Sequence, residues 1–148
     1  MKPKKNEPEP ELEVVTNPVM VEPLIGEHGT KFWYVGGRLH RTDGPAVEYV
    51  NGSEQWWVDG KLHREDGPAK SFASGRKEYW IDDKLHREDG PAVEYPNGDC
   101  VWYFNGLPHR TDGPAVCRSM AGNEYWVEGK RVTSYRSEER RVGKECRL

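Results

Sequence analysis

The sequence predicts an all-β protein, built as an elongated array of stacked antiparallel β-hairpins that form a single curved or twisted sheet. The first observation behind this prediction is a 23-residue period, since His40, His63, His86 and His109 each begin a copy of His-Arg-x-Asp-Gly-Pro-Ala. The second is an aromatic pair in every period, and the third is the supply of turn residues, with 16 glycines and 11 prolines. A period kept at this many positions is the signature of a repeat architecture.

Each aromatic pair lies in the first predicted strand of a repeat. The five pairs are Trp33-Tyr34, Trp56-Trp57, Tyr79-Trp80, Trp102-Tyr103 and Tyr125-Trp126. These strands end at polar turns such as Asp59-Gly60. A second strand follows the motif, as in Ala46-Val47-Glu48-Tyr49, and closes at Asn51-Gly52, because Asn-Gly tolerates the positive φ angles of a tight hairpin. We therefore expect two short strands per repeat, stabilised by the stacking of neighbouring repeats.

The period also divides the chain into three parts. Residues 19–135 form the array: a half cap, four full repeats and a partial fifth in which Val132 stands where histidine is due. Residues 1–18 are acidic and contain prolines, a composition typical of a disordered arm. Residues 136–148 lose the period, and residues 136–146 resemble the in-frame translation of a sequencing adapter. We interpret this segment as a non-native tail and leave it out of the fold prediction.

Composition limits the kind of partner. The net charge is -3, with 22 basic and 25 acidic residues intermixed, so we expect no binding to nucleic acid or to an anionic membrane surface. The sequence has no apolar stretch long enough for membrane insertion and no secretory leader, which favours a cytoplasmic protein, or a virion protein if the chain is viral. Cys100, Cys117 and Cys146 lack metal-ligand spacing and fit unpaired thiols in a reducing compartment.

An aromatic strand, a Gly-Lys turn and a second strand recur in this chain, most clearly at Trp57-x-x-Gly60-Lys61 and Trp126-x-x-Gly129-Lys130. In this pattern the chain resembles the MORN repeat family in its variant form, and the resemblance covers about residues 21–135. It implies an elongated curved β-sheet used as an adaptor. Where the common unit has a glycine-rich turn, this chain has the His-Arg-x-Asp-Gly-Pro-Ala motif, which resembles repeats of phage and large-virus proteins. Because of this departure, the phospholipid association of some MORN proteins is not implied.

The polar motif raises two interpretations, a metal or catalytic site in each repeat, or a structural loop. Equivalent histidines would lie two strands apart, roughly 10 Å, too far to share one Zn²⁺, and an enzyme needs an asymmetric set of roles. We therefore predict no metal, no cofactor and no catalysis. In the structural interpretation, the aspartate accepts turn N–H groups, the arginine pairs with a carboxylate and Gly-Pro fixes the backbone. The predicted loop residues are His40, Arg41, Asp43, His63, Arg64, Asp66, His86, Arg87, Asp89, His109, Arg110 and Asp112.

The aromatic pairs predict a binding surface. Adjacent strand residues face opposite ways, so the two members of a pair cannot enter the same apolar layer. Either both columns of aromatics are structural packing, or one is exposed to a partner. The column that we expect to be exposed, called the aromatic stripe, consists of Tyr34, Trp57, Trp80, Tyr103 and Trp126.

These features favour a non-catalytic repeat scaffold that binds another protein. The alternative is a carbohydrate or cell-wall module of the choline-binding type, in which exposed aromatic rings hold a glycan or a ligand cation. An enzyme would require one repeat with a distinct nucleophile or acid. The departures from the period are Asp83, Leu107-Pro108 and Cys117, and they form no triad or carboxylate pair.

Overall fold

The computed structural model describes residues 22–133, and it is all-β apart from one short 3-10 turn at Glu27–Gly29. One nine-stranded antiparallel sheet runs along the array, and five two-stranded hairpins accompany it. The predicted fold class, an all-β array of antiparallel hairpins, is confirmed. The predicted arm at 1–18 and the predicted tail at 136–148 lie outside the described residues.

The nine-stranded sheet, called the main sheet, is a meander in which each strand pairs with the strands before and after it. Its strands, in both chain and spatial order, are Leu24–Ile25, Lys31–Phe32, Val47–Glu48, Glu54–Gln55, Lys70–Ser71, Lys77–Glu78, Val93–Glu94, Cys100–Val101 and Val116–Cys117. The first of them stands where the half cap was predicted. Every full repeat therefore contributes two strands to the main sheet.

The five hairpins lie beside the main sheet and contain the second member of each aromatic pair. Their strands are Tyr34–Val35 with Arg38–Leu39, Trp57–Val58 with Lys61–Leu62, Trp80–Ile81 with Lys84–Leu85, Tyr103–Phe104 with Leu107–Pro108, and Tyr125–Val127 with Lys130–Val132. Both residues of the turn at Asp59-Gly60 have positive φ, 49° and 76°. This is the type I′ geometry that matches the twist of the flanking strands.

The number of strands differs from the prediction, because each repeat has four short strands instead of two. One of the two additional strands lies just before the motif histidine, as at Lys61–Leu62, and closes the hairpin. The other arises because the predicted first strand divides at the first aromatic of the pair. Trp56 donates its N–H to the carbonyl of Ala69 (2.7 Å) on the main-sheet side, and its own carbonyl accepts the N–H of His63 (3.2 Å) on the hairpin side. The first aromatic is thus the residue at which the backbone changes its hydrogen-bonding partner.

Neighbouring hairpins are also joined to one another. Gly60 donates its N–H to the carbonyl of Leu39 (2.9 Å), and Arg41 donates to the carbonyl of Trp57 (3.1 Å). Equivalent pairs of bonds recur at the next three interfaces. Asp83, which replaces the turn glycine, adds a bond because its Oδ1 accepts the N–H of Leu62 (2.7 Å). Each repeat is therefore held to the next along two separate lines of backbone bonds.

The Asn51-Gly52 turn closes its main-sheet hairpin in a different geometry from the one predicted. Gly52 has a φ of 87°, but Asn51 is absent from the residues with positive φ. The N–H of Gly52 bonds the carbonyl of Tyr49 (3.0 Å), and the N–H of Tyr49 bonds the carbonyl of Ser53 (2.9 Å). These bonds define a three-residue loop with a glycine bulge, in which the Asn51 side chain accepts the N–H of Ser53.

The core is thin and consists of small side chains. The alanine of every motif copy is completely buried, at 0% exposure, and the residue after it is a buried valine in three of the four repeats. The buried hydrophobic residues are Ala46, Val47, Leu62, Ala69, Ala92, Val93, Ala115 and Val116. The largest side chains stay partly exposed.

Enlarging one of the buried alanines is expected to destabilise the array. Ala69→Val adds two methyl groups at a site with 0% exposure, and overpacking of this kind costs about 1–3 kcal/mol. The measurement is the urea midpoint by circular dichroism. Ala73→Val, at an exposed position in the same repeat, is the matched control and should change the midpoint far less. Equal midpoints for the two variants would contradict the burial of the motif alanine.

Candidate interaction surface

The arginine of each motif lies between an aromatic ring and a glycine. The guanidinium carbon stands over the first aromatic of the same repeat at 4.1 Å for Arg41 on Trp33, 3.9 Å for Arg64 on Trp56, 4.0 Å for Arg87 on Tyr79 and 4.1 Å for Arg110 on Trp102. On the other side, a Cβ added to Gly44 would come within 2.7 Å of the guanidinium carbon of Arg41. Guanidinium groups stack well on aromatic faces because they are planar and weakly hydrated.

The motif glycine therefore serves close packing. The φ angle of Gly44 is not positive, and the same holds for the equivalent glycine in the other three motif copies. The backbone there is open to other residues, and the restriction comes from the arginine side chain. We expected the Gly-Pro step to act through the backbone, but its glycine acts through packing against the arginine. Glycine is needed because any side chain would displace the guanidinium from the ring.

The same guanidinium holds the loop together through hydrogen bonds. In the first repeat, the Nε of Arg41 donates to Asp43 (2.9 Å), and its Nη1 donates to the carbonyl of Pro45 (3.1 Å) and to Glu48 (3.1 Å). The bonds to the motif aspartate and to the proline carbonyl recur in all four repeats. The bond to a glutamate recurs once, from Arg87 to Glu94 (2.8 Å). The arginine thus closes the turn that it packs against.

The hydrogen bond from the motif arginine makes the motif aspartate more acidic. In every motif copy, the hydrogen bond from the arginine holds the pKa of the aspartate below its ordinary value, and the positive charge of the guanidinium lowers it further. The four residues are Asp43, Asp66, Asp89 and Asp112. A carboxylate that is stabilised in its ionised form favours the folded state wherever it is ionised.

Each motif histidine connects its repeat to the following one. Its Nδ1 accepts the backbone N–H of the first turn residue of the next hairpin. The four bonds run from Asp59 to His40 (3.0 Å), Asp82 to His63 (3.3 Å), Asn105 to His86 (3.0 Å) and Glu128 to His109 (3.0 Å). An imidazole that accepts at Nδ1 carries its proton on Nε2. The imidazole therefore helps to set the geometry between neighbouring hairpins.

The aromatic stripe lies in the first strands of the hairpins, and all five of its residues are partly buried. Each of its three indole N–H groups bonds a polar side chain two residues earlier: Trp57 to Gln55 (3.0 Å), Trp80 to Glu78 (2.9 Å) and Trp126 to Glu124 (3.0 Å). These bonds fix the orientation of the rings. They also place the stripe on the same face of the array as Gln55, Glu78 and Glu124.

Two of the five residues that follow the stripe are more exposed than the stripe residue before them. Val35 and Phe104 are 50% and 43% exposed, whereas Tyr34 and Tyr103 are partly buried. Phe104 packs against His86, with ring centroids 4.6 Å apart, and lies 5.9 Å from His109. The two sides of the hairpins thus both carry apolar groups that solvent reaches.

Sequence reasoning missed a polar cluster in the main sheet beside the stripe. Glu78 is only 5% exposed, bonds the indole of Trp80 and forms an ion pair with Arg76. Lys70 lies directly opposite Glu78 in the sheet, and its Nζ is 5.3 Å from the centre of the Trp80 ring. The signal was present in the period, since Lys70 stands where the other repeats have valine.

A cleft of about 240 Å³ opens at the loop ends of the first two repeats. Two aromatic rings, those of Tyr49 and Phe72, form part of its wall. The remaining lining residues are polar: Asn51, Ser53, Glu54, Gln55 and Ser71. The amide of Gln55 bonds the hydroxyl of Tyr49 (3.1 Å) while accepting the Trp57 indole N–H, so the cleft is connected to the aromatic stripe.

Within residues 22–133, no group of three His, Cys, Asp or Glu side chains is arranged to hold a metal ion. No helix in the same range is long and apolar enough to cross a membrane.

The sequence matches no protein-family model, and no curated protein matches it significantly. The resemblance to variant MORN repeats stays a prediction.

Replacing a stacked arginine by lysine is expected to destabilise the array although the charge is kept. Arg87→Lys removes the planar group on Tyr79 and the paired bonds to Asp89 and Glu94, and we expect a loss of about 1–3 kcal/mol. Urea unfolding followed by fluorescence measures it. Arg38→Lys, on an exposed hairpin position, is the control. A loss no larger than that of the control would show that the stacking contributes little.

Acid is expected to destabilise the array through the motif aspartates. Their pKa values lie below the ordinary 3.8 in the folded protein, so the unfolded chain takes up protons first. The stabilisation is complete well above about pH 4 and is lost as the pH falls from there through the lower folded pKa values. The measurement is the melting temperature between about pH 6 and pH 2. An Asp66→Asn, Asp89→Asn double variant should show a shallower decline, and an equally steep decline would contradict this origin.

Proposed function

We propose that this chain is a non-catalytic repeat scaffold that binds another protein across the aromatic stripe. The observation that carries the proposal is the regular row of partly exposed rings on one face, with their indole N–H groups already bonded inside the array. Rings held in this way present apolar area without an unsatisfied donor. Little side-chain freedom is lost when a partner covers them.

The dimensions of the row suit an elongated contact. Equivalent rings are two strands apart, so five rings extend over about 40 Å. Trp and Tyr are the residues that most often dominate binding energy at protein interfaces. The polar cluster of Lys70, Arg76 and Glu78 interrupts the row near its middle. A partner with apolar groups on both sides of a polar centre would match this pattern.

The motif residues support a scaffold because their functional groups serve the array itself. The guanidinium groups bond the loop and cover the first aromatics, and the imidazoles bond the next hairpin. The proposal agrees with the adaptor role that the resemblance to variant MORN repeats implies. Membership in that family is part of the proposal.

The cleft at Tyr49 and Phe72 favours a second candidate, a carbohydrate-binding module. Aromatic rings beside hydroxyl and amide groups are a common way to hold a sugar ring, with few polar groups fixing its orientation. A choline-type ligand is less suitable, because the place over the first aromatic of each of the four full repeats is taken by the protein's own arginine. On the stripe, Lys70 already lies over Trp80.

The experiment compares proteins captured by the tagged full chain with those captured by a Trp57→Ser, Trp80→Ser double variant. We expect a specific protein to be retained by the wild type and to be reduced at least about tenfold by the double variant, as for loss of two central aromatic residues. Met120→Ser, at a position that is 96% exposed, is the control and should retain the partner. Circular dichroism verifies that each variant is folded.

Three outcomes would contradict this proposal. The wild type captures no protein specifically, or a folded double variant captures the same protein equally well, or Met120→Ser loses it to the same extent. Binding to a glycan panel that is abolished by Tyr49→Ala and Phe72→Ala would favour the carbohydrate module instead.

A further inference from the structure

The register of the main sheet brings the two described cysteines together. Cys100 and Cys117 are direct partners on adjacent antiparallel strands, and both are free thiols that are partly buried. Val116 exchanges both of its backbone bonds with Glu124 on its other side, so the N–H and C=O of Cys117 point toward Cys100. In such a hydrogen-bonded pair the Cα atoms are about 5.5 Å apart. Disulfides usually span about 4.4–6.8 Å between Cα atoms.

The equivalent pairs in the other repeats show that this position is used for polar cross-strand contacts. The first repeat has Lys31 opposite Glu48, with their charged groups 3.7 Å apart. The third has Lys77 opposite Glu94, and the second has Glu54 opposite Ser71. Only in the fourth repeat are both members cysteine. In the fourth repeat, both residues of the cross-strand pair therefore differ from their equivalents in the other repeats. The two cysteines that replace them are themselves able to form a covalent bond with each other.

We propose that Cys100 and Cys117 form a dithiol site that a small-molecule disulfide oxidises to a cross-strand disulfide. One cysteine thiolate attacks a sulfur of the small disulfide, forms a mixed disulfide and releases one small thiolate. The second cysteine thiolate then attacks the protein sulfur of the mixed disulfide and releases the other. The two protein thiols lose two protons and two electrons, and the small disulfide is reduced to two thiols.

The surroundings of the pair set the conditions for this reaction. Burial, followed by the hydrogen bond with Cys117, raises the pKa of the Cys100 thiol to about 11. Because the thiolate is the nucleophile, the reaction is slow at neutral pH and becomes faster as the pH rises. The thiol of Cys117 donates to the carbonyl of Pro114 (3.8 Å), which also accepts from Arg110. The disulfide would therefore clamp the strands on either side of the fourth motif.

The test treats the full chain, in a Cys146→Ser background, with oxidised glutathione at about pH 8–9, close to the ordinary thiol pKa. We expect a mass lower by two hydrogens and a Cys100–Cys117 linked peptide in a non-reducing digest. The melting temperature should rise by about 5–15 °C, because the bond constrains the unfolded chain, and dithiothreitol should reverse the rise. Cys117→Ser should instead stop at the mixed disulfide on Cys100.

The proposal fails if the protein keeps two stable mixed disulfides, forms bonds between molecules, or shows no linked peptide. It also fails if the linked protein melts at the same temperature as the reduced protein or below it. Protein that is unfolded in urea before oxidation is the reference. Because the fold holds Cys100 next to Cys117, the mixed disulfide should close to the Cys100–Cys117 bond faster in the native chain than in the unfolded one.

Discussion

The stacking of an arginine between an aromatic ring and a glycine is the interaction on which the rest of the array depends. The guanidinium fills the space that a larger hydrophobic side chain would occupy in a deeper core, and it closes the loop through the aspartate and the proline carbonyl. Three residue types follow from this one contact. The ring must be aromatic, the facing residue must have no side chain, and the cation must be planar. A motif that reads as polar is therefore the packing motif of the protein.

This arrangement explains how a chain with few hydrophobic residues forms a regular sheet. Within residues 22–133, the buried hydrophobic residues are alanines, valines and one leucine, so apolar burial per repeat is small. Backbone bonds along the main sheet and between the hairpins, the imidazole bonds and the stacked arginines supplement it. Each contribution couples only neighbouring repeats, and the stability of such an array is approximately a sum over repeats and interfaces.

Much of the fold follows from the sequence, because the period, the aromatic strands and the turn residues are local signals. The type I′ turn at Asp59-Gly60, for example, is specified by the two turn residues themselves. The division of the strand at Trp56 is not specified by local residues. It depends on a bond to the carbonyl of Ala69, which a later part of the chain brings next to Trp56. The proximity of Cys100 and Cys117 likewise requires the register. The polar nature of the motif was visible, but its stacking was not, because a sequence does not reveal which ring an arginine covers.

The imidazole bond gives the array a direction. Every motif histidine accepts from the hairpin that follows it in the chain, so the two sides of a repeat are chemically different: one presents a turn N–H and the other presents an imidazole acceptor. The histidine bond can therefore form only between repeats that meet head to tail, because two like sides would match donor to donor or acceptor to acceptor. Val132 stands at the histidine position of the fifth repeat. The fifth repeat therefore has no imidazole acceptor at this position on the side where a further hairpin would follow. A hairpin docked there would lack the imidazole bond that joins each of the first four repeats to the next hairpin.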